Sequence, residues 1–181
     1  MTRHNVFISY HHENDQGYKD QFVDMYGHLF IDHSVYPGEY DDDLSEEYIK
    51  RLIREEKITD STVIIVLVGE ETYNRKHVDW EISAALSKKA GGYSGLLGII
   101  LPPIGAPRPI PARLWDNINS DYALLHYLPA ITHKQVDLGF LIDIAFERKN
   151  TMAGRINNDR PQMQENSCAE KYFLPDYRFR F

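Results

Sequence analysis

Short apolar runs alternate with longer amphipathic stretches along most of the chain. Val6-Phe7-Ile8-Ser9-Tyr10 is β-branched and aromatic and reads as a buried strand. Tyr18, Phe22, Met25, Tyr26 and Leu29 then recur at helical spacing, with Asn14 or Asp15 as the expected cap. Leu29-Phe30-Ile31 reads as a second strand. Residues 34–42, with Pro37-Gly38 and the run Asp41-Asp42-Asp43 at its end, form a loop. A helix follows with Leu44, Tyr48, Ile49, Leu52 and Ile53 on one side. Thr62 to Val68 is apolar throughout after its first residue, as a central parallel strand covered on both faces should be. A helix is expected over His77 to Lys89 and a fourth strand over Leu96 to Leu101. The fourth strand stops at Pro102-Pro103, and a proline-rich loop runs on to about Arg113. Ala123 to Tyr127 is a weaker fifth strand. Thr132-His133-Lys134-Gln135 has the form of a capping box, opening a helix with Val136, Phe140, Leu141, Ile144 and Ala145 inward.

Strand and helix thus alternate about five times. That order points to an α/β fold with a five-stranded, mainly parallel sheet and helices on both faces. Ligands of such sheets bind beyond the carboxyl ends of the strands. The functional candidates therefore follow the strands, at residues 9–14, 32–43, 69–81 and 102–113. From about Asn150 the character changes to Asn, Arg, Gln and Asp, and the stretch reads as a linker. It ends in Tyr177-Arg178-Phe179-Arg180-Phe181, an aromatic terminus that should dock on its own domain, on a partner or on a second copy.

Composition narrows the function classes. The 181 residues carry a formal charge of −7, and an acidic chain without a basic stripe argues against nucleic-acid binding. Cys168 is the only cysteine, which leaves no internal disulfide and suits a reducing cytoplasm. No leader and no apolar run of membrane-spanning length is read at either end or between. The eight histidines form no HxxxH pair, and adjacent His11 and His12 point apart on extended chain, so no metal site is expected. The three aspartates at 41–43 suit the positive end of a helix; a cation site would need oxygens from elsewhere.

Several occupants of this architecture do not fit. A phospho-receiver needs an aspartate ending the third strand and a lysine after the fifth. Here the third strand ends Val68-Gly69-Glu70, and no lysine follows Tyr127 before Lys134. A flavin site needs a Ser/Thr/Gly-rich phosphate loop after the first strand, where this chain has Tyr10-His11-His12-Glu13-Asn14. No GxGxxG, Walker A or GxSxG motif occurs.

The residues do resemble one family. Val6-Phe7-Ile8-Ser9-Tyr10-His11 resembles the opening box of TIR domains, and Pro37-Gly38 stands where that family has its loop after the second strand. Ile49, Ile53, Ser61 and the strand Val63 to Val68 continue the pattern. Arg75-Lys76-His77-Val78-Asp79-Trp80-Glu81-Ile82 resembles the third-helix box, with its glutamate followed by an aliphatic residue. More narrowly, residues 5–146 are similar to the prokaryotic TIR-like proteins that include the ThsB components of Thoeris anti-phage defence. The resemblance implies a flavodoxin-like TIR domain over residues 1–149 and a C-terminal extension over 150–181. It implies an enzyme that takes NAD⁺ as substrate, needs no other cofactor, and cleaves the nicotinamide–ribose bond. The product would be an ADP-ribose-derived signal, cyclic or conjugated, that reaches a separate effector protein. Assembly into homo-oligomers is common in the family. Glu81 matches the catalytic glutamate. Many relatives carry tryptophan four residues before it, where this chain has His77; its own tryptophan is Trp80.

The chemistry is coherent on its own terms. Nicotinamide leaves NAD⁺ neutral, so no general acid is required, unlike ordinary glycosidases with their two carboxylates. One carboxylate can stabilise an oxocarbenium-like transition state and orient the ribose hydroxyls. On the expected helix, Val78, Ile82, Ala85 and Leu86 form the inward stripe, and Glu81 lies roughly 85° from its centre. It is a flank residue, placed either for catalysis or for an ordinary surface pairing with lysine. Trp80 lies roughly 175° from the stripe, facing either an interface or the cover of a neighbouring loop, and as the tryptophan of this box it is also a candidate substrate contact. His77, one turn before Glu81, either touches substrate or caps the helix. Tyr10, His11 and Asn14 either hold the diphosphate at a helix start or form local caps. A rival of another class is a non-catalytic TIR adaptor acting through Trp80, the Pro37-Gly38 loop and the aromatic tail.

Overall fold

The computed structural model describes residues 3–34, 56–88, 92–102 and 108–173. The Pro37-Gly38 loop, the three aspartates, the helix expected around Leu44 to Ile53, residues 103–107 and the aromatic terminus lie outside them. The described elements are β1 (Asn5–Ser9), α1 (His12–Tyr26), β2 (Ile31–Asp32), β3 (Val63–Val68), α2 (Lys76–Ala85), β4 (Gly95–Ile100), α3 (Ala112–Asn119), β5 (Leu124–Tyr127), α4 (Leu128–Thr132) and α5 (Leu138–Thr151). Residues 56–60 are also helical.

The five strands form one sheet in the order β2-β1-β3-β4-β5, and every pairing is parallel. This is the flavodoxin-like α/β arrangement. All six residues of β3 are fully buried, because the strand is central and covered on both faces. Alternation sorts the side chains into two cores. Val6, Ile8, Ile65 and Leu67 pack with Phe22 of α1 and with Leu141 and Ala145 of α5. Phe7, Ile64, Val66 and Val68 pack with Val78 and Ile82 of α2 and with Leu114 of α3. Among the described residues, no helix is long and apolar enough to cross a membrane.

Several local expectations are corrected. α1 starts at His12, capped by the His11 ring, and not at Asn14 or Asp15. Its buried positions are Asp15, Lys19 and Phe22, so Met25 is 42% exposed. β2 forms later than expected, because residues 27–29 continue the turn and Phe30 drops into the core. α2 ends at Ala85, whose carbonyl is taken by the Ser94 amide at 2.9 Å. Thr132 closes α4 and opens no capping box; Asp137 caps α5 by accepting from the Phe140 amide. The buried stripe of α5 is Leu138, Leu141, Ile142 and Ala145, which turns Phe140 outward at 58% exposure and leaves Ile144 half-buried.

Two features lie where the sequence pattern suggests no ordered element. α3 begins at the end of the expected proline-rich loop and runs through residues to which the pattern assigns no element, with Leu114 buried against α2. The polar stretch after α5 is not a slack linker. Residues 156–170 lie along α2 and α3, held by side-chain bonds: Asn117 donates to the Asn157 carbonyl, Arg160 pairs with Asp116, and the Lys76 amide donates to Asn166.

Candidate active site

The strand order reverses at β1. The chain leaves β1 for β2 on one side, while β3 pairs on the other. In open parallel sheets this switch point leaves a crevice beyond the strand ends, between the two loops that depart in opposite directions. Here those loops are residues 10–11 after β1 and residues 69–75 after β3.

The end of β1 supplies two side chains to opposite faces. Ser9 shares the face of Phe7 and points toward α2; Tyr10 joins the core beneath α1. Glu81 of α2 meets Ser9, whose Oγ donates to Glu81 Oε2 at 2.6 Å. Both are buried, Glu81 at 4% exposure and Ser9 at 1%. Glu81 is thus more sheltered than a flank position suggests, because the β1 terminus covers it. A buried carboxylate is costly unless hydrogen-bonded, and the serine meets part of that need. Sequence reading includes Ser9 in the candidate segment 9–14 but misses its pairing with Glu81. Its signal is the strand period: Ser9 is two residues beyond Phe7, hence on the same face, at the strand end facing the third helix box.

Tyr10 is 2% exposed and donates from its hydroxyl to Gln16 Oε1 at 2.6 Å. Burial, then the Asp20 carboxylate, pushes its phenol up to about 12, and the Glu81 and Asp32 carboxylates add to the rise. The Tyr10 hydroxyl therefore stays protonated at neutral pH, and its ring lies within the field of Glu81. Tyr10 also stacks on His12, with ring centroids 4.3 Å apart.

His11 and Asn14 stand at the start of α1, on the crevice's mouth. His11 is buried and accepts the Asn14 amide at Nδ1; Asn14 Nδ2 donates to Glu71 Oε2 at 2.8 Å. His11 Nε2 lies 3.9 Å from the same Glu71 oxygen, and Arg75 reaches Glu13 at 3.4 Å. These contacts stitch the two loops together.

His77 and Trp80 gather elsewhere on α2. Their rings meet edge to face at 5.3 Å, and the Lys76 ammonium sits 5.1 Å from the Trp80 ring centroid. Trp80 is half-buried, and its Nε1–H donates to the Met163 carbonyl at 2.8 Å. Of the two readings of an outward tryptophan, the cover by neighbouring chain is the one observed. His77 does not cap the helix; Arg75 is the cap residue, and Asn166 takes the Lys76 amide.

Asp15 is a second sheltered carboxylate in the crevice. Thr72 donates to it at 3.2 Å, and the Gly69 amide donates to the Thr72 hydroxyl at 2.8 Å. Gly69 has no room for a side chain: a Cβ there would lie 2.2 Å from Asp15 Oδ2. Burial raises the Asp15 pKa above its ordinary 3.8, against the lowering effects of Thr72, His11 and Arg108. A raised folded-state value means that Asp15 favours the fold fully below about pH 3.8 and loses that contribution as pH rises through its folded value. Asp15→Asn removes this titration. Its urea midpoint is expected to gain on wild type between pH 4 and 7; an equal pH dependence in both proteins would contradict the assignment.

A separate cavity of about 620 Å³ opens at the other end of the sheet, lined by Arg3, His4, Asp143 and Phe146 among others. Two of its polar groups are engaged within the fold: Arg3 donates to the Gly27 and Phe30 carbonyls, and His4 lies 3.0 Å from Asp143. Among the described residues, no three His, Cys, Asp or Glu side chains gather closely enough to hold a metal ion.

The family model described as the TIR-like domain of Thoeris protein ThsB matches residues 7–103, which span both the Ser9 strand end and the Glu81 helix. No curated protein matches. Among solved structures, the chain is similar to FerB, an NAD(P)H:(acceptor) oxidoreductase and flavoenzyme from Paracoccus denitrificans. The identity is 14% and the TM-score 0.47, covering 82% of this chain and 98% of that one.

Proposed function

Since the chain belongs to the TIR-like domain family of Thoeris ThsB proteins, we propose that it is a defence enzyme that cleaves NAD⁺ at the nicotinamide–ribose bond. The observation that carries this reading is the buried Ser9–Glu81 pair at the switch point of the sheet. A carboxylate that is oriented, sheltered and near the strand ends has the form this chemistry requires.

The C1′–N1 bond breaks and its electron pair leaves with nicotinamide, which departs neutral. Positive charge appears on the ribose as an oxocarbenium-like centre. Glu81 supplies the opposite charge from a site of low polarity, where it acts more strongly than in water. Ser9 donates to Oε2 and so fixes the plane of the carboxylate. Water, or a hydroxyl or amine of an acceptor, then bonds to C1′ and loses its proton to solvent. Water gives ADP-ribose; an internal or second acceptor gives the cyclic or conjugated signal that would activate a separate effector. On this reading Asn14, with His11 behind it, would meet the diphosphate once Glu71 yields, whereas Tyr10 is packed in the core beneath α1 and would act only through the shape of the loop.

The adaptor reading works through Trp80, the Pro37-Gly38 loop and the aromatic tail, of which Trp80 alone is among the described residues. Its indole N–H is already given to the chain's own Met163 carbonyl, which leaves less of it to offer a partner.

The test is mass spectrometry of NAD⁺ incubated with concentrated protein, with neighbouring copies present should they complete the site. Release of nicotinamide with an ADP-ribose species is expected, and the product's mass separates hydrolysis, cyclisation and conjugation. Intact NAD⁺ in both the purified reaction and a lysate of phage-infected cells making the protein would contradict the proposal.

A further inference from the structure

Asp79 lies two residues before Glu81 and so faces nearly the opposite side of α2. It is 4% exposed, and its partner Arg113 of α3 is fully buried. The guanidinium makes a two-pronged contact, Nε to Oδ1 at 2.9 Å and Nη2 to Oδ2 at 3.3 Å. Its other donors are taken by the segment after α5: Nη1 reaches Asn158 Oδ1 at 2.7 Å, and Nη2 the Pro161 carbonyl at 3.2 Å. The same segment returns to α2, where the Met163 amide donates to Asp79 Oδ2 at 2.9 Å and Asn158 donates to the Ser83 carbonyl at 3.0 Å.

An apolar pair of similar size would escape the desolvation cost of two buried charges, but it would leave the Met163 amide, the Asn158 side chain and the Pro161 carbonyl without these partners. What the ion pair adds is direction. A planar fork on a carboxylate fixes angle as well as distance, and a lysine cannot reproduce it. Ser9 holds α2 at Glu81 on one flank, and Arg113 holds it at Asp79 on the other. Given the catalytic reading of Glu81, we infer that Arg113 is a positioning residue. Through Asp79 and the C-terminal segment it sets the rotation of α2, and so the aim of the Glu81 carboxylate.

The test uses the full chain with Arg113→Lys, which keeps the charge, and the double variant Asp79→Leu with Arg113→Met, which keeps an apolar fill. Nicotinamide release gives kcat and KM. Hydrogen exchange of the α2 amides reads the helix without substrate. The lysine variant is expected to lose about tenfold in kcat and the double variant about a hundredfold, with KM within about twofold of wild type. Exchange in α2 should quicken in both. Wild-type kcat per folded molecule in either variant overturns the inference, as does unchanged exchange in α2. Should the double variant fail to fold, the lysine variant decides by the same two readouts. A wild type that matches Glu81→Gln in releasing no nicotinamide, both purified and in a lysate of phage-infected cells, overturns the enzyme reading itself, a result distinct from active variants.

Discussion

Glu81→Gln is expected to lower NAD⁺ cleavage by about 10²–10³ while leaving the fold intact, the scale seen when one preorganised charge-stabilising group is removed. Gln keeps the size of Glu and an amide oxygen to accept the Ser9 hydroxyl, so the bond from the end of β1 survives. What disappears is the negative charge opposite the forming oxocarbenium. That charge matters most in the transition state, so kcat should fall and KM should hold. Measured nicotinamide release and a far-ultraviolet spectrum of the variant check both halves. A variant that folds and retains half of wild-type turnover would remove Glu81 from the chemistry.

Gly95→Ala is expected to give a large loss of stability. Gly95 opens β4, and a Cβ there would lie 2.1 Å from the Ala145 carbonyl oxygen and 2.4 Å from its carbon. Both are backbone atoms of α5, so no side chain can swing aside; the helix must move off the sheet. Ala145 is fully buried against that face, and moving it opens the core around Leu141 and Leu97. Overpacking of this kind costs typically about 1–3 kcal/mol, and a backbone clash belongs at the upper end. At about 3 kcal/mol, a chain of this size should lose roughly 6–12 °C in Tm. An unchanged melting temperature would mean that α5 can shift off β4 without cost, against the packing of Ala145.

The fold is legible in the sequence because its strands are plain. β3 is apolar at every position, and the pattern places it to within one residue, as it does β4 and β5. α1 is harder because its buried stripe carries Asp15 and Lys19, which hydropathy assigns to solvent. α3 is hidden by the prolines before it and by Arg113 and Asn117, polar residues that are both fully buried. The segment after α5 gives no apolar signal because it docks by hydrogen bonds: the Asn157 backbone pairs with the Asn117 side chain, Asn158 accepts from Arg113, and Asn166 accepts the Lys76 amide.

The site is legible in part. Period-3.6 reasoning places Glu81 on the flank of its helix, and the resemblance of its box supplies the role. Periodicity cannot show that β1 caps that flank with Ser9, since the contact joins residues 72 positions apart. Tyr10 turns to the other face of the sheet, into the core beneath α1, and His77 and Trp80 pair with each other against the C-terminal segment. Asp79 and Arg113 carry no signal of their own; a buried ion pair becomes visible only when two helices meet.

The most direct test is to follow NAD⁺ and its products by mass spectrometry in phage-infected cells making either wild type or Glu81→Gln at equal levels. Loss of NAD⁺ and a new ADP-ribose-derived mass are expected with wild type, and neither with the variant. Protection from phage by both proteins, with NAD⁺ untouched in each, would contradict the enzyme reading and make the chain an adaptor.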